Sequence, residues 1–268
     1  MKVTQVQMNS QEDKEANLRS AEQLIDQAME LDKPDLIILP EYYAGLNADP
    51  IQQQATGEEF PDGDSFRLMS SLAAKHKVTI HAGSVVEKRG NHFYNTTVVF
   101  GPDGKSKAKY SKIHLFDVVV PGGTRFGESE TVSRGDEIVT YEVGGFTVGC
   151  AICYDLRFPE LFRKLRDAKA DIIALPAAFT LQTGKDHWEV LCRARAIETQ
   201  TYFFATGQIG TYADGKKASW GHTMAIDPWG HIVSQVSDRP GFVTTRLDRA
   251  LVEETRRNIP VADHHVLD

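Results

Sequence analysis

The segment VGCAICYDLRFPE, residues 148–160, decides how the rest of the chain is interpreted. Its apolar beginning predicts a strand that ends at Cys153, and the polar turn that follows leads to Pro159, a residue favoured at the first position of a helix. Leu161 and Phe162 begin the apolar face of that helix. In an open α/β sheet, ligands bind beyond the carboxyl ends of the strands. Cys153 is therefore a candidate nucleophile.

Other roles of Cys153 stay open. Free cysteine is among the most buried residue types, so a structural thiol is one alternative. Cys150 and Cys153 have the spacing of a redox pair, but three residues along a strand place the two thiols on opposite faces. A zinc site would need further ligands, and the remaining cysteine, Cys192, falls in a predicted helix without a partner. The sequence thus favours neither a redox pair nor a metal site.

The composition excludes several classes of function. The 268 residues carry a net charge of −7 and the 30 Lys and Arg residues are dispersed, which argues against binding to nucleic acid. The first residues alternate like a strand and lack the apolar core of a signal peptide, and no run approaches the length of a membrane span. We therefore expect no nucleic-acid or membrane partner. We also expect a cytoplasmic location, where the cysteines stay reduced.

A repeated apolar segment predicts how the chain is organised. DLIILP at residues 35–40 recurs as DIIALP at residues 171–176, and each follows a predicted helix. Continuous apolar strands that alternate with helices are typical of α/β proteins. We predict two similar halves in a single domain at residues 1–258, followed by a polar arm at residues 259–268. The alternative is that two unrelated strands merely end in the same way.

Periodicity predicts several further elements. A strand is expected at residues 78–86, a helix from Asp186 to Thr199, and another strand at residues 220–227. Residues 117–136 lack periodicity, and a loop of this length inside a compact domain is usually functional.

Three charged residues stand at predicted strand ends or in that loop. Glu41 directly follows the first Leu-Pro, Lys112 lies between apolar residues in an alternating segment, and Glu128 falls in the loop at residues 117–136. A solvated glutamate and a lysine at a surface strand edge are the ordinary alternatives. Each residue alone is therefore weak evidence for a site.

Together with Cys153, these residues stand in motifs that resemble the nitrilase superfamily of carbon–nitrogen hydrolases, which uses a Glu-Lys-Cys triad. The motifs in chain order are LPE at 39–41, YSKIHLFD at 110–117, Glu128-Ser129 and CYDLRFPE at 153–160. HWEVLCRARAIETQ at 187–200 and WGHTM at 220–224 resemble the branch that contains the deaminated glutathione amidases, with the omega-amidases as near neighbours. The chain departs from its relatives at Ala177, where they often have serine.

The resemblance implies a fold and a chemistry. The fold would be an α/β four-layer αββα sandwich of two pseudo-symmetric halves, which usually forms a homodimer through helices that flank the nucleophile. Cys153 would attack an amide carbonyl after Glu41 takes its proton, and a thioester would form. Lys112 and the Tyr154 N–H would stabilise the oxyanion, while Glu128 would hold Lys112 or the substrate nitrogen in place. No metal or organic cofactor would be needed.

The resemblance also implies a small carboxylate-bearing amide as the substrate, cleaved to an acid and ammonia. Activity like that of the deaminated glutathione amidases is expected, and omega-amidase activity on 2-oxoglutaramate or 2-oxosuccinamate is the alternative. A nitrilase proper and a catalytically inactive interaction protein on the same fold stay open as further classes.

Arg157 is the expected partner of the substrate carboxylate, because its planar guanidinium suits a bidentate contact. A structural ion pair with Asp155 or Glu160 is the alternative role for Arg157, and Lys185 is the next candidate for the anion site. The other residues expected to bind substrate are Tyr154, Ala178, Phe179 and His187.

Overall fold

The structure, a computed structural model, describes residues 1–120, 123 and 125–266. Helices and strands alternate along the first half of the chain. In chain order they are β1 (Lys2–Gln7), α1 (Lys14–Leu31), β2 (Leu36–Ile38), α2 (Pro50–Ala55), α3 (Asp64–His76), β3 (Thr79–His81), β4 (Val85–Arg89), β5 (His92–Phe100), β6 (Ser106–Ser111), β7 (Asp117–Val119) and β8 (Arg125–Gly127).

The second half repeats the alternation, with short 3-10 turns at Glu128–Glu130 and Cys153–Arg157. Its elements are β9 (Thr140–Val143), β10 (Phe146–Cys150), α4 (Pro159–Asp167), β11 (Ile172–Ala177), α5 (Leu181–Thr199), β12 (Tyr202–Gly207), β13 (Ile209–Tyr212), β14 (Lys217–Trp220), β15 (Met224–Ile226), β16 (Ile232–Gln235), β17 (Gly241–Arg246) and α6 (Arg249–Asn258).

Most of the described strands belong to two sheets. The first has seven strands in the order β17-β1-β2-β3-β5-β4, with β6 paired to β5, and the second has six in the order β16-β15-β12-β11-β10-β9. β1, β2 and β3 run parallel in the first sheet, as do β10, β11 and β12 in the second. Helices connect the strands of both sets, so the two halves repeat one β-α-β-α-β unit.

Each sheet has helices on one face and the other sheet on its opposite face. α1 and α3 cover the first sheet, where Phe66 is part of a buried apolar cluster. α4 and α5 cover the second sheet through residues such as Phe162 and Trp188. Between the sheets, the Gln5 side chain in β1 donates to Thr206 Oγ1 in β12 at 2.9 Å. The predicted four-layer αββα sandwich of two pseudo-symmetric halves is confirmed.

Four strand ends position the residues of interest. Glu41 follows β2, Lys112 follows β6, Cys153 lies three residues beyond the end of β10, and Ala178 follows β11. β2 and β11 carry the two copies of the repeated apolar segment, which ends in Leu-Pro in both halves. The two halves therefore bring corresponding strand ends toward the same rim.

The strand predicted at residues 78–86 is wrong, because the chain forms β3 and β4 with a break between them. Gly83 takes a φ of +44° at the break, and its N–H donates to the His81 carbonyl at 2.8 Å. That conformation suits glycine and ends regular strand pairing. Apolar alternation continues through the break, so the pattern did not reveal it.

Two further predictions need correction. α5 begins at Leu181 and not at Asp186, because its first turn is exposed and therefore carries no apolar periodicity. The strand predicted at residues 220–227 is shorter, since Trp220 ends the hairpin of β13 and β14 and only β15 follows.

The predicted loop at residues 117–136 is not structureless. β7 and β8 pair in it as a short antiparallel hairpin, and a 3-10 turn follows. Pro121, Gly122 and Thr124 of this loop lie outside the described residues.

No helix in residues 1–120 or 125–266 is both long and apolar enough to cross a membrane. The single domain at residues 1–258 and the arm at residues 259–268 stay predictions, and Leu267 and Asp268 of that arm lie outside the described residues.

Candidate active site

The strand ends enclose a pocket that brings the four predicted catalytic residues together. Glu41, Lys112, Glu128 and Cys153 all line it, and its volume is about 920 Å³ when the space open to solvent at its mouth is counted. Concave pockets of this kind, with apolar walls and a few polar groups, are typical small-molecule sites. The geometry of the four side chains therefore decides what chemistry the pocket can perform.

Cys153 begins the 3-10 turn after β10 and has a φ of +47°. A left-handed conformation is uncommon for a residue other than glycine and is often found at functional sites. Burial raises the pKa of the Cys153 thiol well above its ordinary value, the Glu41 carboxylate raises it further, and the Lys112 ammonium opposes both effects. The resting side chain is therefore a neutral thiol.

Asp155 connects this turn by hydrogen bonds to the segment that carries Lys112. Its buried carboxylate accepts hydrogen bonds from the Ile152 N–H at 2.9 Å and the Tyr110 hydroxyl at 2.7 Å. The other carboxylate oxygen accepts from the His114 N–H at 3.1 Å and lies 2.7 Å from His114 Nδ1. The nucleophile and the lysine are thus held by one shared carboxylate.

Glu41 lies beside the thiol and is only 2% exposed. One carboxylate oxygen accepts from Lys112 Nζ at 3.1 Å and from the Asn95 side chain at 2.8 Å. The other accepts from the backbone N–H of Ala178 at 2.8 Å. These contacts hold Glu41 in a position from which it can take a proton from Cys153.

Lys112 is a buried cation, as the sequence suggested. Besides Glu41, its ammonium donates to Glu128 Oε2 at 2.8 Å. Burial alone would lower the pKa of Lys112, but the Glu128 and Glu41 carboxylates outweigh it and hold the pKa well above its ordinary value. The side chain therefore stays positively charged next to Cys153.

Glu128 receives hydrogen bonds from four groups. Its donors are the Lys112 ammonium at 2.8 Å, the Phe116 N–H at 2.7 Å, and the Tyr42 hydroxyl and Asn95 amide at 3.0 Å each. Burial opposes ionisation, yet the Lys112 ammonium and these hydrogen bonds hold the pKa of Glu128 below its usual range. Glu128 is therefore an ionised carboxylate that fixes Lys112.

Only some of the residues expected to bind substrate line the pocket. Tyr154, Ala178 and Phe179 line the pocket, whereas Arg157 and His187 do not. The Arg157 guanidinium lies 5.4 Å from the centre of the Phe179 ring and 6.0 Å from that of Tyr154, and both of its NH groups are 3.3 Å from His187 Nδ1. Arg157 thus lies next to two pocket residues without lining the pocket.

The alternative role for Arg157 finds no support in the described part of the chain, where Arg157 forms no ion pair with Asp155 or Glu160. Lys185 is exposed on α5 and does not line the pocket either. The substrate-binding roles of these residues stay predictions.

Sequence reasoning missed four residues of the site, which are Tyr42, Asn95, Tyr212 and Lys217. Asn95 links the two carboxylates, since its amide donates to Glu41 and to Glu128. The available signal was an asparagine inside a predicted strand, where this residue is uncommon. Tyr212 and Lys217 come from the hairpin of β13 and β14, which leads into the WGHTM motif at residues 220–224, but neither residue belongs to that motif.

The described residues support neither a metal site nor a redox pair of Cys150 and Cys153. They contain no cluster of three or more His, Cys, Asp or Glu side chains that could hold a metal ion. Cys150, Cys153 and Cys192 are free thiols within this part of the chain, and all are buried.

The thiol of Cys153 thus lies beside a carboxylate and an ammonium at the rim of an αββα sandwich. A profile of the family described as Carbon-nitrogen hydrolase matches residues 2–257. The chain belongs to this family, and the predicted resemblance to the nitrilase superfamily is confirmed. The protein is thus a hydrolase of carbon–nitrogen bonds other than peptide bonds, as predicted.

Individual relatives cover most of the chain. It is 38% identical over 271 residues to a deaminated glutathione amidase of Synechocystis sp., which covers 97% of this chain and 96% of the relative. It is 38% identical over 204 residues to an omega-amidase of Homo sapiens, covering 76% of this chain and 73% of the relative. The crystal structure of the C. elegans NitFhit protein has a TM-score of 0.90 at 36% identity. That match covers 98% of this chain but only 64% of the longer one.

Proposed function

We propose that the protein is an amidase that hydrolyses a small carboxylate-bearing amide through a thioester on Cys153. The observation that carries this proposal is the buried contact of Cys153, Glu41 and Lys112 in one pocket. The names of the relatives, deaminated glutathione amidase and omega-amidase, support the same class of substrate.

The first step joins proton transfer to attack. Because Cys153 rests as a thiol, its proton must pass to Glu41 as the sulfur bonds to the amide carbonyl carbon. The carbonyl π electrons move to oxygen, which becomes an oxyanion. The Lys112 ammonium and the Tyr154 N–H are the proposed donors to this oxygen, and each such donor contributes roughly 3 kcal/mol.

The tetrahedral intermediate then collapses to the thioester. The oxyanion electrons return to form the carbonyl, the carbon–nitrogen bond breaks, and the protonated Glu41 gives its proton to the departing nitrogen. The amine leaves and the acyl group stays on the Cys153 sulfur. Glu128 does not touch the reacting atoms in this scheme, because it is occupied with Lys112, Asn95 and Tyr42.

Hydrolysis of the thioester uses the same groups in reverse. Glu41, again a carboxylate, takes a proton from a water molecule as that water attacks the thioester carbonyl. Lys112 again faces the oxyanion. Collapse expels the Cys153 sulfur, which recovers its proton from Glu41, and the acid product leaves.

The two candidate substrates differ in the group that departs. An omega-amide such as 2-oxoglutaramate releases ammonia, the product expected from the sequence. Deaminated glutathione is a peptide-like amide and releases, in place of ammonia, an amine that carries a carboxylate, so the expected ammonia does not apply to it. The deaminated glutathione amidase of Synechocystis sp. aligns with 97% of this chain, whereas the omega-amidase of Homo sapiens aligns with 76%. We therefore favour activity like that of the deaminated glutathione amidases.

A substrate panel with product analysis tests this proposal. Deaminated glutathione, 2-oxoglutaramate, glutamine and a matched nitrile are incubated with the purified protein, and ammonia and released amine are measured separately. We expect hydrolysis of the first compound, and mass spectrometry should show an acyl adduct on Cys153. Cys153→Ala should retain less than about a hundredth of the wild-type rate. Failure of wild type on every amide would favour an inactive interaction protein, and turnover of the nitrile alone would favour a nitrilase.

We further propose a cytoplasmic homodimer that assembles through α4 and α5. Two apolar side chains of α5 support this surface, because Val190 is 69% exposed and Ile197 is 50% exposed. They lie seven residues apart and so fall on one face of the helix.

A further inference from the structure

Lys217 is a pocket cation without an ion pair in the described ranges; burial lowers its pKa, and the Asp49 carboxylate, beyond ion-pair distance, opposes that effect. Lys217 lines the pocket and is half-buried, its Nζ donates to the Ala48 carbonyl at 2.7 Å, and Nζ lies 4.5 Å from the centre of the Phe126 ring. Throughout the described ranges, no carboxylate lies within ion-pair distance of Lys217 Nζ.

The other cations of the pocket are already paired. Lys112 contacts two carboxylates, and Arg125 forms an ion pair with Glu130 at 2.5 Å. An incoming anion would have to displace those partners. Lys217 is the cation that can receive a carboxylate without breaking an existing ion pair.

Tyr212 stands directly opposite Lys217 in the hairpin of β13 and β14. Its side chain is buried and lines the pocket, and its hydroxyl has no hydrogen-bond partner among the groups that the structure describes. Burial raises the pKa of Tyr212 to about 12, with further contributions from Glu41 and Cys153. The hydroxyl therefore stays protonated and can donate to an anion.

Lys217 and Arg157 lie against different residues of the pocket wall. Arg157 lies beside the Phe179 and Tyr154 rings and is the candidate partner of a carboxylate on the acyl part of the substrate. Lys217 lies against the Phe126 ring and the Ala48 carbonyl. Lys217 is therefore the pocket cation that remains for a carboxylate on the amine part.

We propose that Lys217 and Tyr212 form an anion subsite that binds a carboxylate on the leaving-amine side of the substrate. The preferred substrate is then an amide whose amine portion is an amino acid or a short peptide with a free carboxylate. This inference rests on the proposed amidase function. It separates the two candidate substrates, because ammonia released from 2-oxoglutaramate carries no such group.

The test compares two compounds that differ only at that carboxylate. They are deaminated glutathione and its C-terminal carboxamide, and kcat/KM is measured for each from the released amine. We expect wild type to prefer the free acid by roughly tenfold or more, equivalent to about 1.4 kcal/mol. Lys217→Met should abolish this preference by raising KM for the free acid, whereas Lys217→Arg should keep most of it.

Lys216→Met is the matched control, because Lys216 lies in the same hairpin but is exposed and does not line the pocket. It should leave the preference unchanged. If Lys217 only held the segment of Ala48, Lys217→Met would lower kcat/KM equally for both compounds, and the subsite would be refuted. Absence of a preference in wild type would refute it too.

Failure of the subsite can be distinguished from failure of the proposed function. If wild type hydrolyses 2-oxoglutaramate but does not prefer the free acid of the pair, the amidase assignment stands and the subsite falls. If no amide is hydrolysed, calorimetric binding of the same two compounds to Cys153→Ala decides the matter. Tighter binding of the free acid, lost on adding Lys217→Met, would support the subsite, and equal binding would exclude it.

Discussion

Glu41 has two proposed roles. It accepts the thiol proton when the thioester forms, and it activates water when the thioester is hydrolysed. Glu41→Gln keeps the shape, but its one amide oxygen can accept from only one of Ala178 and Lys112, and the side chain cannot take a proton. We expect a loss of at least about a hundredfold in kcat, with both steps blocked. Stopped-flow measurement of amine release would check this. Near-normal turnover would assign the base to another residue.

Arg157 touches the walls of the pocket through the Phe179 and Tyr154 rings, so it is the proposed partner of a carboxylate on the acyl side. Arg157→Lys keeps the charge but loses the planar pair of donors. We expect kcat/KM for a carboxylate-bearing amide to fall about tenfold more than for a neutral amide, with little change in Tm. Arg19→Lys, at an exposed position on α1, is the control. Equal losses for both amides would make Arg157 structural.

Glu128 and Lys112 should make stability depend on pH. Because folding lowers the pKa of Glu128, its contribution is present above the ordinary carboxyl pKa of about 4.3 and is lost as the pH falls through the lower folded value. Folding raises the pKa of Lys112, so its contribution is complete below about 10.4 and is lost as the pH rises through the folded value.

The variant Glu128→Gln distinguishes the contribution of Glu128 to the pH dependence of stability from the contributions of the other carboxylates. We expect a loss of about 3 kcal/mol in the free energy of unfolding near neutral pH, because Lys112 keeps a buried charge with one partner fewer. The difference from wild type should shrink below about pH 4, as measured by urea denaturation. Glu130→Gln, at an exposed ion pair, should show neither effect. A difference that is constant at all pH values would contradict the assignment.

The four residues that meet in the pocket and are proposed as catalytic could be selected from the sequence because each lies in a short local motif at a strand end. Tyr212 and Lys217 could not, since nothing in their local sequence indicates the pocket and only tertiary packing brings β13 and β14 to it. Residues supplied by a distant hairpin are visible only once the sheets are assembled.

The break between β3 and β4 depends on a close backbone contact at Gly83. An added Cβ at Gly83 would collide with the Pro40 carbonyl oxygen, at a residue whose φ is +44°. We expect Gly83→Ala to destabilise the protein by about 2 kcal/mol or more and to displace the strand end that carries Glu41. Urea denaturation checks the stability. Gly241→Ala, with open space around its Cβ, should be nearly neutral.

The existence of most elements could be predicted from periodicity, whereas their ends could not. α5 begins five residues before Asp186, directly after Thr180, and its first residues Leu181 and Gln182 are exposed, so no apolar pattern marks this start. The break at Gly83 depends on the approach of the Pro40 backbone, which is a tertiary contact. In the first case the local pattern was absent, and in the second a neighbouring element decided the conformation.

The whole molecule should be a dimer if the apolar face of α5 is covered by a second copy. Light scattering should give about twice the chain mass of 29.8 kDa. Val190→Asp combined with Ile197→Asp should give a monomer, because each buried charge would cost several kcal/mol. Leu31→Asp, which is equally exposed at the end of α1, should leave the dimer intact. A monomeric wild type would rule the dimer out.

The hydrogen bond from the Ala178 N–H to Glu41 joins the ends of the two repeated units. If both units descend from one duplicated sequence, the copies began with the same residue after Leu-Pro. The residue that corresponds to Glu41 in the second unit is Ala177, and the neighbouring Ala178 supplies a backbone donor instead of a second carboxylate. The two units are therefore no longer interchangeable at this rim, and exchanging their strand ends would remove the carboxylate from its donor.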